Sequence, residues 1–530
     1  MSATATDYID DHKPNIDHLD HQPVTETPLR SAFADLPSFK AIVKFRRAFA
    51  TGIAASLGGM YIGYCGSAIG NIVANPGFLE QFGTVRSATG ALSLDAHYVS
   101  TWGAVQQVGQ IVFQVLAPFV VDRFGRKVAM YALTFFMLLA IILEIVAKDW
   151  KVFLAAKLFA GCASGWLGPA VMTYMSEVAM PNFRGIILSS FSLALAIGQF
   201  TNAIASQIVN DTTPLKYKHV FYSEFVYLGI WGLACLAIPE SPAWLISKGR
   251  IEQAKKAHKR LVGPVEGYDH EFEFQVIEHD IKVSEDITRS YSDNDWKALF
   301  KWGNFKRCLV ASLPFAAQQF AGVPYIFNYT TYFFQIAGLE DPFQASTIIN
   351  VIYIVAIISS FFLVERLGRR PLVLAGLSVL VIVNTLIGAL GFISSTSSSK
   401  GAALTALCSI WMFSYSISLA PIGWLGIVEV SSAKLRAKTA SFGVLVNSLI
   451  GLVFNYTVPL LLSDQDAGWG QKIGIFFGGL SLLFLVPIFF FYPETKGRTY
   501  AEIDELFERN IPARKFKTTQ TETSNQPIHN

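Results

Sequence analysis

A chain of 530 residues in which 52% are hydrophobic and only 15% charged, with a mean hydropathy of +0.40, lies outside the range of soluble proteins of this size and reads as an integral membrane protein. A net charge of +3 is too small to point to a nucleic-acid partner, and the five cysteines (Cys65, Cys162, Cys235, Cys308 and Cys408) fall in apolar stretches at no metal-ligand spacing. They read as small buried hydrophobes, with no metal or cofactor expected.

Residues 1–45 carry Asp, His, Pro and Thr without apolar periodicity and are expected to form a disordered cytoplasmic tail rather than a cleaved signal peptide. A hydrocarbon core of ~30 Å takes roughly 20 apolar residues per helical crossing. Windows of that kind run over 50–72, 98–121, 128–147, 152–175, 186–209 and 220–238, giving an N-terminal six-helix unit over 46–238. The interval 239–306 is polar. Within it Ser241-Pro242 reads as a helix N-cap and first residue, and Ile251, Ala254, His258 and Leu261 share one helical face, so short amphipathic linker helices are expected. A second series, 308–334, 346–364, 371–393, 402–428, 439–462 and 473–491, makes a C-terminal unit over 307–492. In the tail, 493–530, Thr499 and Glu502 are spaced as a capping box ahead of Ile503, Leu506 and Phe507. The chain therefore reads as an all-α membrane protein of twelve transmembrane helices in two groups of six.

Lys and Arg accumulate in short cytoplasmic loops. Here they fill the links after windows 2, 4, 8 and 10: Arg123, Arg126 and Lys127; Arg184; Arg366, Arg369 and Arg370; and Lys434, Arg436 and Lys438. Both termini and the linker are thus expected in the cytoplasm, and the sequon at Asn210 on the far side, where glycosylation can reach it. The same links hold a repeat. Asp122-Arg123-Phe124-Gly125-Arg126-Lys127 returns as Glu365-Arg366-Leu367-Gly368-Arg369-Arg370, and Glu177 seven residues before Arg184 returns as Glu429 before Arg436. Pro239-Glu240-Ser241-Pro242 returns as Pro493-Glu494-Thr495-Lys496-Gly497. Topology alone explains the basic residues, but not acids and bases recurring in the same order at matched spacing.

On these paired motifs the chain resembles a sugar porter of the major facilitator superfamily over nearly its whole length. The Pro239-Glu240-Ser241-Pro242-Ala243-Trp244-Leu245 and Leu435-Arg436-Ala437-Lys438-Thr439 runs are similar to those of fungal α-glucoside, or maltose-type, permeases. The resemblance implies the major facilitator fold, two six-helix bundles about a central site, and rocking between outward- and inward-open states. It also implies a latch of bonds between bundles, with Asp122, Arg126, Glu177, Arg184 and Glu240 in the N-terminal half and Glu365, Arg369, Glu429, Arg436 and Glu494 as its mirror. Such carboxylate–guanidinium bonds, made in one state and lost in the other, bias an equilibrium. Pro118 departs from the family's usual small residue four positions before Asp122.

A hydroxyl-rich ligand needs amides and hydroxyls within the membrane, with aromatic faces for its C–H surfaces. Gln318-Gln319-Phe320-Ala321-Gly322-Val323-Pro324 in window 7 is similar to the family's sugar-binding signature, with Pro324 in place of an Asn, and Asn328 and Tyr329 follow one turn later. Trp424 in window 10 and Asn447 in window 11 match further pocket positions, and Ser192 stands where the family usually has Gln or Asn. Gln107, Gln110 and Gln114 share one face of window 2, where amides line a cavity or bind neighbouring helices.

Coupling is the largest departure. Proton-coupled relatives carry an Asp where this chain has Cys65, after Gly63-Tyr64, and Lys157 lies in window 4. No carboxylate lies in the middle of windows 1, 4 or 7, and Glu144, Glu177 and Glu429 stand near window ends, so facilitated diffusion is expected. The leading function is a multi-pass plasma-membrane carrier of a di- or oligosaccharide or related glycoside, working as a monomer in the lipid bilayer. A carrier of a polyol, quinate-like acid or secondary metabolite, and a transporter-like sensor, are the alternatives. No phosphate loop, nucleophile elbow or zinc spacing supports an enzyme.

Overall fold

In the computed structural model, residue 33 and residues 36–86, 92–290, 295–393, 398–431, 435–498 and 500–521 are described. Most of the expected N-terminal tail, and Thr499 of the capping box, lie outside them. Order begins earlier than the sequence suggested: Ser38–Lys44 is already helical, with Ala41 and Phe45 buried against the first bundle.

Among the described residues twelve helical crossings follow. They are α1 Arg46–Ile72, α2 Ala96–Phe124, α3 Arg126–Val146, α4 Trp150–Val178, α5 Arg184–Thr212 and α6 Lys218–Ala237. The second six are α7, in two pieces Trp302–Phe320 and Thr330–Ile336, α8 Pro342–Leu367, α9 Arg369–Leu390, α10, in pieces Ser398–Ile417 and Leu419–Val430, α11 Arg436–Leu462 and α12 Ile473–Phe491. Ten are each long and apolar enough to span by themselves. The exceptions are α1, whose arginines and glycines dilute its hydropathy, and the divided α7.

Prolines set the breaks. A ring that lacks an N–H and crowds the preceding turn kinks or breaks a regular α-helix; Pro118, Pro314, Pro459 and Pro487 stay inside helices that continue past them, but three sites break. Pro169 lies in a π-helical turn, Leu167–Met172, inside α4, and Pro324 opens another, Pro324–Asn328, between the halves of α7. In α10 the chain leaves helical geometry at Ser418, three residues before Pro421. All three breaks fall inside the helical crossings, and within a bilayer such backbone is tolerated only against protein or a water-filled cavity.

Packing reproduces the sequence repeat. In the first half α1 packs on α5 and α6, α2 on α4, and α3 on α4 and α6; in the second, α7 packs on α11 and α12, α8 on α10, and α9 on α10 and α12. The two bundles meet along α2–α11 and α8–α5, again a matched pair. A small hairpin, β1 Val85–Arg86 with β2 Leu92–Ser93, sits in the α1–α2 link. The linker forms the helices Pro242–Ser247, Ile251–Val262 and His270–Ser290, the first capped by Ser241 Oγ accepting from Trp244 N–H.

One linker residue gives a pH prediction. His258 is buried, its Nε2 3.0 Å from Tyr268 Oη, and burial together with neighbouring His270 pushes its pKa down to about 4. An unfolded imidazole, near 6.5, takes up a proton first as pH falls. The stability that this packing lends is therefore intact above about pH 6.5 and declines toward about pH 4, where the folded imidazole protonates too. Hydrogen exchange in Ile251–Val262, corrected for its intrinsic pH dependence, should accelerate through that window in the native protein and stay flat in His258→Phe.

Candidate functional site

The repeated motifs build two matching clusters at one end of the bundles. Gly125 ends α2 with φ 102°, and Gly368 ends α8 with φ 91°, a left-handed turn that only glycine adopts without strain. A Cβ there would also stand 2.5 Å from Glu240 Oε2 in the first half and 2.7 Å from Glu494 Oε2 in the second. Each turn starts the next helix beside a carboxylate: Glu240 accepts from Arg126 and Lys127 N–H at 3.1 Å each, and Glu494 from Arg369 and Arg370 N–H at 3.0 and 3.2 Å. An anion at a helix N-terminus satisfies donors that have no partner within the helix.

The arginine side chains complete the clusters. Arg126 donates through Nε and Nη2 to Glu177, at 2.9 and 2.6 Å, and Arg369 does the same to Glu429, at 3.2 and 2.9 Å. Thr495 Oγ1 donates to Glu429 Oε2 at 2.5 Å. Asp122 is peripheral, 3.6 Å from Arg126 Nη1 with its side chain 73% exposed, and Arg184 is exposed at the start of α5. The side chains of Glu365 and Arg436 lie outside the described residues. Sequence reading expected these groups to bond between bundles, whereas both bidentate pairs here stay within one bundle. Each ties the start of its third helix to the end of its fourth, because the Gly turn aims the arginine inward.

Hydrogen bonds between bundles gather at the opposite end. Thr331 Oγ1 of α7 donates to Asn71 Oδ1 of α1 at 2.5 Å, and Asn71 Nδ2 donates to Asn202 of α5 at 2.6 Å. Gln465 Nε2 donates to Leu94 O at 2.9 Å, and Thr347 Oγ1 of α8 to Gln207 Oε1 of α5 at 2.9 Å. Gly70 packs so closely that a Cβ there would lie 2.1 Å from Asn328 O. The deepest of these contacts is Ser448 Oγ of α11 to Gln114 Oε1 of α2, at 3.2 Å.

The expected pocket residues fall into three groups. Gln318 is held by protein: its Nε2 donates to Leu419 O at 2.9 Å, and Tyr415 Oη donates to its Oε1 at 3.1 Å. Asn328 and Tyr329 belong to the closed end, where both bond to Asn455 of α11. Gln319 Oε1 and Asn447 Oδ1 are buried acceptors with no partner among the described residues. Gln319 lies against α11, its amide 3.5 Å from a Cβ placed on Gly451, which stands one turn along that helix from Asn447. Trp424 keeps 57% exposure and meets Phe315 edge to face. Gln107 is half-buried and Ser192 exposed. Trp166, unremarked in the sequence, carries a buried indole N–H without a partner among the described residues and packs beside Phe113, the neighbour of Gln114.

Cys65 and Lys157 come together with two carboxylates that the sequence reading did not place there. Lys157 Nζ bonds Glu144 Oε1 at 2.7 Å, both side chains wholly buried, and Glu224 of α6 is buried beside them. Glu144 is near the end of α3 as expected, yet that end is covered: Gln81 of the helix Pro76–Phe82 donates to Ala147 O at 2.9 Å. A glutamate inside an apolar window is a visible signal, and Glu224 is such a residue. Asn210 lies in the last turn of α5.

The profile of the family described as "Sugar (and other) transporter" matches residues 51–507. Maltose permease MAL61 of Saccharomyces cerevisiae is 28% identical over 495 residues, 92% of this chain and 80% of that protein. MFS transporter fmqE of Aspergillus fumigatus is 26% identical over 471 residues, 88% of this chain and 87% of that protein. Among solved structures, the partially occluded inward-open xylose transporter XylE from E. coli superposes with a TM-score of 0.69 at 20% identity, covering 86% of this chain and 100% of that one.

Proposed function

The chain belongs to the sugar (and other) transporter family of the major facilitator superfamily, and from that premise we propose that it carries a di- or oligosaccharide or related glycoside by alternating access. The observation that carries this reading is the pair of buried amide oxygens on Gln319 and Asn447 that have no partner among the described residues. A buried acceptor left unsatisfied costs about 1–3 kcal/mol, and sugar hydroxyls are neutral donors that relieve it. Trp424 and Phe315 supply aromatic faces near the same helices. The similarity to a maltose permease favours an α-glucoside over a monosaccharide.

With the motif end in the cytoplasm, as the loop charges imply, the contacts from Asn71 to Thr331 close the outer side and this is an inward-facing state. The carrier works as a monomer in the plasma membrane with both termini inside. The motif clusters brace each bundle as a rigid body, and the bonds made and broken between bundles in this state are those of the outer end.

Binding of maltose by calorimetry tests the pocket. Gln319→Ala and Asn447→Ala should each weaken it by about 0.5–1.5 kcal/mol, several-fold in Kd, at unchanged expression. Gln318→Ala should instead lower stability, because both its amide ends bond to protein. Unchanged maltose affinity in the first two variants removes them from the site. The similarity to fmqE favours a second reading, a non-carbohydrate cargo on the same scaffold, and Pro324 in place of the family's Asn fits it. Binding that follows a ring-bearing acid or other non-sugar, with no response to α-glucosides, would select it.

A further inference from the structure

The two bundles pack alike but differ at the motif ends of their last helices. In the first half the residue after the motif arginine is Lys127, whose Nζ donates to Ile238 O at 2.9 Å and Leu236 O at 3.5 Å, while Arg260 of the linker donates to Ala237 O at 2.8 Å. Carbonyls at the end of α6 have no donors within the helix, so they take up both cations. The counterpart of Lys127 is Arg370, whose Nη2 donates to Phe489 O at 2.7 Å and whose buried Nε has no partner among the described residues. A second cation again arrives from the segment that follows the bundle. It is Arg514 of the tail, which lies over two rings, 4.6 Å from the centroid of Phe489 and 4.4 Å from that of Phe490, and pairs with no carbonyl or carboxylate among the described residues. Arg370 stands over Phe489 as well, at 5.8 Å.

Charge and shape at this spot point to one kind of ligand. Two guanidiniums that share a ring repel one another, and Glu494, the acid that acts on Arg370, already accepts from the backbone N–H groups of Arg369, Arg370 and Lys496. An anion between the arginines relieves the repulsion, and phosphate oxygens match their forked donors. Beside the arginines runs an apolar groove of about 410 Å³, between Leu374, Ala375 and Ser378 of α9 and Leu485, Val486 and Phe489 of α12. Ser378 adds no polar group to it, since its hydroxyl donates to Leu374 O of its own helix at 2.8 Å. Ala375, Val486 and Phe489 are exposed, so the groove opens on the outside of the bundle, where lipid stands. From Arg370 to Ser378 the helix rises about 12 Å, against ~15 Å for one leaflet of the hydrocarbon core. A soluble anion has no use for such a groove, and an apolar helix of a second copy laid in it brings no anion. A phospholipid satisfies both.

The tail is folded so as to present Arg514. Phe516 is buried, its ring 5.2 Å from that of Phe507, and Arg498 Nη2 donates to Phe516 O at 2.9 Å and Thr519 O at 2.6 Å. The tail helix Tyr500–Glu508 rests in turn on α7, where the Arg307 guanidinium lies 4.6 Å from the Phe507 ring centroid.

We propose that the groove between α9 and α12 is a site for one anionic phospholipid, its phosphate between Arg370 and Arg514 and an acyl chain along the groove. With the motif end in the cytoplasm, the site faces the inner leaflet, which carries the acidic lipids and a negative surface potential. Acyl chains are equally apolar in all phospholipids, so the headgroup sets the selectivity and the groove sets the position. An occupied site ties the tail to α9 and α12, and through Phe507 and Arg307 to α7. It does not depend on which solute the carrier moves.

Native mass spectrometry of the full-length protein in detergent tests this, with phosphatidylglycerol and phosphatidylcholine of the same chains as probes and inorganic phosphate as competitor. The first lipid bound should be phosphatidylglycerol, preferred at least about tenfold, because a contact between charged groups is the stronger kind. Arg514→Ala, at an exposed position, and Arg370→Gln should each bring that preference close to one. Ala375→Trp, which fills the groove and touches neither arginine, should weaken phosphatidylglycerol several-fold. Inorganic phosphate should not displace the lipid. Hydrogen exchange over residues 510–521 should slow when phosphatidylglycerol is added to the native protein, and not in Arg370→Gln. Equal binding of the two lipids, or a preference that survives in both arginine variants, overturns the proposal. Displacement by phosphate together with unchanged binding in Ala375→Trp overturns it in favour of a soluble anion, and a lipid-free species of twice the mass overturns it in favour of a second copy on the groove.

Discussion

Arg126→Ala and Arg369→Ala are each expected to lower stability by about 3 kcal/mol, the lower end of the range for breaking a buried ion pair, because Glu177 and Glu429 each keep 18% exposure. The loss comes less from the missing attraction than from what is left behind: a partly buried carboxylate whose two guanidinium donors are gone, Glu429 alone keeping the Thr495 hydroxyl. Asp122→Ala, by contrast, should change stability within a few tenths of a kcal/mol, since that carboxylate is 73% exposed and 3.6 Å from its partner. Arg126→Lys should fall between, keeping the charge but losing the fork that engages both oxygens of Glu177. Thermal melts in detergent order the four variants. Equal shifts for Asp122→Ala and Arg126→Ala would mean that the motif acts through its charge and not through this geometry.

Gly70→Val is expected to abolish exchange of substrate while leaving the protein folded. A side chain at Gly70 meets the Asn328 carbonyl at 2.1 Å, and backbone cannot yield as a flexible side chain does. The bundle ends that meet here are then wedged apart, and the state closed at that end is lost from the equilibrium. Spin labels at the exposed positions Leu215 and Glu340, one on each bundle, should report a distance increase of several ångströms, on the scale of one side-chain diameter. An unchanged distance together with normal exchange would show that Gly70 does not stand at the closing contact.

Much of this fold could be read from the residues because bilayer thickness imposes its own ruler. The twelve windows agree with the helices to within a few residues at most ends, and the matched motifs anticipated two halves with equivalent packing. The partners of the motif residues were less legible. Spacing shows that Arg126 and Glu177 belong to one system, but whether they bond within a bundle or across the divide depends on the turn at Gly125, a three-dimensional property. The pocket was legible as a set of polar residues in apolar windows and not as their roles. Gln318 and Gln319 are adjacent in sequence, and consecutive helical residues point about 100° apart, so one is consumed by Leu419 and Tyr415 and the other faces α11. Glu224 was visible as an acid in an apolar window, but its surroundings were hidden for a different reason. A lone acid in an apolar run reveals its purpose only when its neighbours on other helices are known, and those neighbours, Glu144 and Lys157, come from two other helices.

The account stands on alternating access by a sugar carrier, and counterflow measures that most directly. Purified protein in liposomes preloaded with unlabelled maltose, diluted into a trace of labelled maltose, should show a transient rise of label inside that saturates with concentration and is suppressed by competing α-glucosides. Gly70→Val liposomes should show none. A native protein that binds no mono- or disaccharide and shows no counterflow with any of them, in the same liposomes where a non-sugar solute exchanges, would contradict it.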